Sequence, residues 1–192
     1  QQNINEEQFL EKLNQIYANS NKNKDQSVDW RKESMTDLID YVVHTHHVYL
    51  QKELPLLSEF VTKIVRVHGP NHGDVLLKLH QLFHQVKTEL QEHLILEEEF
   101  VFPIIKQYEK APSPVLLDKA AKAIEELEAE HSNVGDLLKE MRAVTSDYEL
   151  PPEACTTYAL TFQKLKELEN DIFQHIHLEN NILFPRITEK AA

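Results

Sequence analysis

Four stretches of this chain carry apolar side chains at steps of three and four, and in each of them a histidine falls on the apolar stripe. Steps of that length keep one face of an α-helix apolar, so the stretches read as long helices that bury that face, imidazole included. The first runs Ile39, Val43, His47, Leu50, Leu54, Leu57, Val61, Ile64; Ser34 with Asp37 caps its start, Pro55 is a place to kink, and Gly69-Pro70 stops it. The second covers Asp74 to Tyr108, with Leu79, Val86, Leu90, His93, Glu97 and Ile104 in phase. Ser113-Pro114 opens the third, with Leu117, Ala120, Ile124, Leu127, His131, Val134, Leu138 and Met141. Pro151-Pro152 opens the fourth, with Leu165, Leu168, Ile172, His175, Glu179 and Ile182. Four such helices joined by short turns predict an all-α, antiparallel up-down four-helix bundle. Only 3 glycines in 192 residues argue against a β-sandwich or a glycine-rich phosphate-binding fold.

Ahead of the bundle, Glu6 to Tyr17 forms a short amphipathic candidate helix through Phe9, Leu10, Leu13 and Ile16, and the polar run from Asn19 to Ser27 reads as a linker. The expected division is residues 1–33 as helix and linker and 34–192 as the bundle, starting near Trp30. A formal charge of -12 repels phosphate backbones and anionic lipid, which excludes nucleic acid as a partner. No apolar run reaches the roughly 18 residues of a membrane helix, so no membrane association is expected. The single cysteine, Cys155, cannot make an internal disulfide or a cysteine-based zinc site, and a cytoplasmic setting follows. A homodimer is compatible with such a chain but not required by it.

The chemistry lies on the stripes. Residues four apart share a helix side, so His93 with Glu97, and His175 with Glu179, each aim an imidazole and a carboxylate at one point. The motif recurs: His93 to Glu97 continues to Phe102-Pro103 and His175 to Glu179 continues to Phe184-Pro185, at the same spacing. His47 and His131 precede these segments by 46 and 44 residues, which extends the repeat to two helix pairs. Heights agree too, since His47 and His93 each stand ~33 Å of helix from the Gly69-Pro70 turn, and His93 and His131 are equally spaced about Pro112. Around residues 146 to 151 the arms are unequal. His68 shares the first stripe but lies ~31 Å along the helix from His47, so it reads as a turn or capping histidine.

A single His-x-x-x-Glu in so acidic a chain is ordinarily a solvated helix pair. Two of them in core phase are another matter, because an unpaired buried carboxylate is costly and a metal relieves it. His47, His93, Glu97, His131, His175 and Glu179 are therefore the candidate metal ligands. Imidazole and carboxylate without thiolate suit iron, manganese or zinc alike. If Glu97 and Glu179 bridge two metals, and each takes two histidines and a shared oxo or hydroxo, each is five-coordinate with an open position. His44, His46, His72, His80, His84 and His177 fall off the stripes or near turns and read as solvated. Glu98 and Glu99 read as a solvated face, Cys155 as a small core or helix-start residue, and Glu130 as a candidate support beneath a ligand.

The paired His-x-x-x-Glu segments ending in Phe-Pro, with one histidine on each remaining helix, resemble the hemerythrin-like (HHE) domain. More narrowly, Leu54-Pro55-Leu56, Val67-His68-Gly69, Glu92-His93 through Glu97-Glu98, and His175 through Pro185 resemble the "repair of iron centres" family of iron-sulfur cluster repair proteins, over about residues 34 to 188. That resemblance implies two non-haem iron ions, oxo- or hydroxo-bridged and carboxylate-bridged, on the same six residues. It implies a stress-response role, restoring iron-sulfur clusters damaged by nitric oxide or hydrogen peroxide, with damaged iron-sulfur proteins as clients and the iron as donated material. The rivals are an O2 or NO carrier or sensor, an NO reductase and, last, a metal-free helical interaction protein. Members of the family usually begin with a small domain carrying adjacent cysteines; no such pair stands here, and the chain is expected to start just after it.

Overall fold

Residues 28–191 are described by the computed structural model, and the helix expected at Glu6 to Tyr17 and the linker to Ser27 lie outside them. Every regular element among the described residues is helical. Ser34 opens helix α1, Met35–Val42, by accepting the Asp37 N–H at 2.9 Å, the cap expected from the sequence. A π-helical turn, Val43–His47, joins it to α2, Val48–Leu96. A second π turn, Glu97–Val101, leads into α3, Phe102–Lys110. Helix α4 is Pro114–Val144, capped by Ser113 as expected. Helix α5 is Thr156–Leu178, and a third π turn, Glu179–Leu183, precedes α6, Pro185–Ala191.

The 49-residue α2 is not straight. His72 leaves helical geometry at φ -131°, ψ 28°, and the Thr62 hydroxyl lies 3.2 Å from His80 Nε2. Eighteen residues of straight helix would separate that pair by ~27 Å, so the chain doubles back at His72. Gly69-Pro70 therefore marks the reversal without ending the helix, and Pro55 is absorbed with no departure from helical angles. The expected start of α5 at Pro151-Pro152 is also displaced, to Cys155, which caps the helix with no side-chain bond. Between α4 and α5 the chain makes a left-handed turn through Ser146, Asp147 and Tyr148, at φ 50°, 59° and 58°. Such angles cost roughly 1–2 kcal/mol per non-glycine residue. They are held by Asp147 N–H on the Arg142 carbonyl at 2.8 Å, Tyr148 N–H on the Thr145 hydroxyl at 3.0 Å, and the burial of Tyr148.

The apolar stripes meet as anticipated over most of their length. Leu50, Leu54, Leu57, Val61 and Ile64 pack with Leu79, Val86, Leu90, Val134, Leu138, Met141, Leu165, Leu168 and Ile172 in one core. A second apolar group, Leu38, Ile39, Val42, Val101, Phe102, Ile105, Ala120, Ile124, Leu127, Leu183, Phe184 and Ile187, is equally buried. In each segment the polar candidates stand between these two groups, so six ionisable side chains form a layer with apolar packing on both sides.

Four expected core positions fail: Leu117, near the start of α4, is half-buried, and the other three fail at a π turn. Val43, Ile104 and Ile182 are only half-buried, whereas Val42, Ile105 and Leu183 are buried. A π turn admits one extra residue, so the 3.6-residue phase slips by one across it. Two of the turns have a local cause. Pro103 and Pro185 lack an N–H, and their rings collide with the carbonyl four residues back, so the ladder widens ahead of them; Phe184 N–H bonds the Glu179 carbonyl, five residues back, at 2.9 Å.

Candidate metal centre

All six sequence-derived candidates converge. His47 ends the first π turn, Glu97 and Glu179 open the other two, and His93, His131 and His175 come from α2, α4 and α5. None is more than 6% exposed, and Glu97 and Glu179 are wholly buried. Their ligand atoms fall into two groups, His47, His175, Glu97 and Glu179 in one and His93, His131, Glu97 and Glu179 in the other, each within 4.8 Å. Both glutamates belong to both groups. Glu97 turns Oε2 to His47 Nε2 and Oε1 to His93 Nε2, each at 3.3 Å. Glu179 turns Oε1 to His175 Nε2 at 3.1 Å and Oε2 to His131 Nε2 at 3.3 Å. One oxygen of each carboxylate thus faces each histidine pair.

The outer edges of the rings decide what the inner edges can do. His47 Nδ1 meets Glu98 Oε1 at 2.9 Å, His93 Nδ1 meets Glu130 Oε2 at 2.7 Å, and His131 Nδ1 meets Asn180 Oδ1 at 2.9 Å. These acceptors hold the proton on Nδ1 and leave the Nε2 lone pair pointing inward, the tautomer a metal ligand needs. Inside, Nε2 lies 3.2 Å from Nε2 between His47 and His175, and 3.0 Å between His131 and His93. Lone pairs that close repel unless a proton or a cation lies between them.

All four oxygens of Glu97 and Glu179 are buried without a hydrogen bond. A buried carboxylate left so costs several kcal/mol. The electrostatics carry the same message: burial pushes the His47 and His93 imidazoles down, yet the carboxylates beside them win, and His93 is raised to about 10. Burial likewise opposes ionisation of Glu97, but His93 and His47 hold its carboxyl well below the usual carboxylate range. Protons on imidazole are what balances the charge when no cation does. A nitrogen and oxygen donor set of this composition, with no sulfur, fits a first-row transition metal, which the orphaned carboxylate oxygens and inward-facing Nε2 atoms would hold.

Aromatic walls close the layer. Phe102 stacks on His47 with centroids 5.7 Å apart, and Phe184 stacks on His131 at 6.1 Å. The repeated Phe-Pro thus does two jobs, proline opening the π turn and phenylalanine fixing the imidazole contributed by the other arm.

Two assignments from sequence need correction, and one residue of the layer had none. His46, expected in solvent, is 2% exposed, hydrogen-bonded to Asp171 at 3.0 Å and stacked on His175 at 5.7 Å; the first π turn brings both His46 and His47 inward. Glu98, expected on a solvated face, is the acceptor for His47. Asn180, unremarked in the sequence, is the acceptor for His131, and the repeat held the clue, because it follows Glu179 as Glu98 follows Glu97. His68 stands apart from both groups, its Nε2 3.2 Å from Cys155 Sγ and its ring against Tyr158. His44 and His177 are exposed, while His72, His80 and His84 are half-buried and outside the layer. No helix of the described residues is long and apolar enough to cross a membrane.

Known proteins are similar to this chain in sequence. A Staphylococcus epidermidis protein named iron-sulfur cluster repair protein ScdA is 33% identical over 186 residues, covering 97% of this chain and 80% of that protein. Its Staphylococcus haemolyticus namesake is 32% identical over 186 residues, 96% of this chain and 80% of that one. An Escherichia coli protein named iron-sulfur cluster repair protein YtfE is 36% identical over 160 residues, 82% of this chain and 68% of that protein. The family model of the hemerythrin HHE cation-binding domain matches residues 38–187, a span that contains all six converging side chains. With that match over most of its length, this chain belongs to the hemerythrin HHE family.

Proposed function

We propose that this protein takes part in the repair of iron-sulfur clusters damaged by nitrosative or oxidative stress, with iron as the material it supplies. The observation that carries the reading is the pair of histidine groups sharing Glu97 and Glu179, whose four oxygens have no other partner. The names of the staphylococcal and enterobacterial relatives supply the process. In this reading residues 34–192 form an antiparallel four-helix bundle, counting the two arms of α2 separately. His47 and His175 hold one iron, His93 and His131 a second, and both glutamates bridge. The clients are damaged iron-sulfur proteins, and the setting is the cytoplasm.

The chain's own residues do three things for such a cargo. The imidazoles present neutral Nε2 donors, kept in that tautomer by Glu98, Glu130 and Asn180. The two carboxylates offset the charge, and they attract a ferrous ion less than a ferric one, so reduction loosens the hold. Phe102 and Phe184 keep water from the imidazoles until release. Metal content of the aerobically purified chain tests the centre. About two irons per chain are expected, with loss in both His93→Ala and Glu179→Ala; metal indifferent to both substitutions overturns it. Reactivation of an NO-damaged cluster enzyme by the reduced, iron-loaded protein tests the role, and failure with iron present would sink repair while leaving the centre standing.

One observation favours a second reading, the binding or reduction of O2 or NO at the same centre. A layer at most 6% exposed with phenylalanine walls admits a small uncharged gas more readily than it releases a hydrated ion. A reversible spectral change under NO with no iron lost would select it, and N2O production with an electron donor would identify a reductase.

A further inference from the structure

The two histidine groups are related by the sequence repeat, but their supports are not. Glu98 follows Glu97 and takes the Nδ1 proton of His47; Asn180 follows Glu179 and takes that of His131. Glu130 precedes His131 and takes the Nδ1 proton of His93 at 2.7 Å. By the same relation the residue preceding His47 should serve His175. That residue is His46. Its ring lies flat against His175, with 7° between planes, and its Nδ1 is bonded to Asp171.

His175 Nδ1 is consequently buried with no hydrogen-bond partner. On the turn of α5 just before it, Asp171 Oδ2 is buried and unpartnered as well, while Oδ1 is taken by His46. Of the four imidazoles, then, three have an acceptor behind them at Nδ1, and His175 has the stacked ring of His46 in that place. An acceptor behind a ligating histidine makes the ring a stronger donor, and its loss weakens metal affinity roughly ten- to a hundredfold.

Resting on the iron-donor reading, we infer that the two metal positions are unequal: the one held by His47 and His175 is the exchangeable position from which iron leaves first, and the His93 and His131 position is the retained one. His46 is the positioning residue that sets the difference, by drawing Asp171 to itself and standing where the repeat would put an acceptor.

Anaerobic release of iron from the reduced, iron-loaded chain to a strong ferrous chelator reads this directly. Wild type should lose its iron in two phases of equal size, separated at least tenfold in rate. Glu130→Leu, at a side chain 43% exposed where the fold tolerates the change, should accelerate only the slow phase and bring the two together. His46→Glu, or the neutral His46→Gln if a buried carboxylate hinders folding, should slow the fast phase by supplying the absent acceptor. A single phase in wild type, or a Glu130→Leu effect confined to the fast phase, overturns the inference. Two phases without cluster repair would count against the iron-donor reading alone, and repair with a single phase against this inference alone.

Discussion

At the scale of single residues, the centre is a problem in charge balance that protons and cations solve in competition. His47 and His93 are shifted upward by Glu97 and its neighbours despite burial, and Glu97 is shifted downward. For a metal-free chain this fixes the direction of pH dependence. Stability from the raised histidines is fully present below their ordinary value of 6.5 and is lost as pH rises toward about 10 for His93. Stability from Glu97 is present above 4.5 and is lost as pH falls through its depressed value. The melting temperature of metal-free protein should accordingly fall between pH 7 and pH 10, while that of loaded protein stays nearly level; calorimetry at both pH values checks it, and an apo melting point that climbs over that range would contradict it. Metal uptake must also expel these protons. A ferrous or zinc titration in weakly buffered solution at pH 7 should acidify by about one to two protons per chain, with tenfold or greater loss of affinity at pH 6.

The six converging side chains were legible in the sequence because a histidine on an apolar stripe, repeated with a glutamate four residues on, survives any error of a residue or two in helix ends. Of what lay beneath them, only Glu130 was legible, as the residue beside His131. The 3.6-residue period carries no mark of a π turn, so His46 read as solvent-facing, and Ile104 and Ile182 stood in for Ile105 and Leu183. Glu98 was hidden by its neighbours, since a run of three glutamates reads as a wet surface whichever of them turns inward. The reversal at His72 was misplaced by two residues for a different reason: Gly69 and Pro70 permit a turn but do not enforce one. At this scale two outcomes are expected. Removing Glu99, an exposed residue inside the second π turn, should restore an ordinary ladder while keeping Val101, Phe102 and Ile105 in the core. The variant should melt within a few degrees of wild type yet bind iron at least tenfold more weakly, as Glu97 is re-aimed. Equal affinity would show the turn to be incidental. Ser146→Gly, which relieves one residue of the left-handed turn, should raise unfolding free energy by roughly 0.5–1 kcal/mol in a urea titration, and a loss would mean that the serine makes an unrecognised contact.

For the molecule as a whole, apolar packing on both sides of a charged layer makes the loaded and empty forms differ in stability more than in shape. Iron at a thousand times its dissociation constant adds roughly 4 kcal/mol, which for a chain of this size is a rise of about 10 °C in melting temperature. Chelation should reverse it, and His175→Ala should abolish half or more of it.

Each histidine pair takes one member from before the Ala111-Pro112 connection and one from after it: His47 with His175, His93 with His131. Neither half of the sequence can therefore complete a position alone, and any ion seated there is a removable cross-link, fastening segments 128 and 38 residues apart. On the proposed reading, surrendering iron would unbutton the protein along that seam, leaving apolar packing and pairs such as Lys164 with Glu53 to hold it, and turnover by proteases would fall first on the copies already spent.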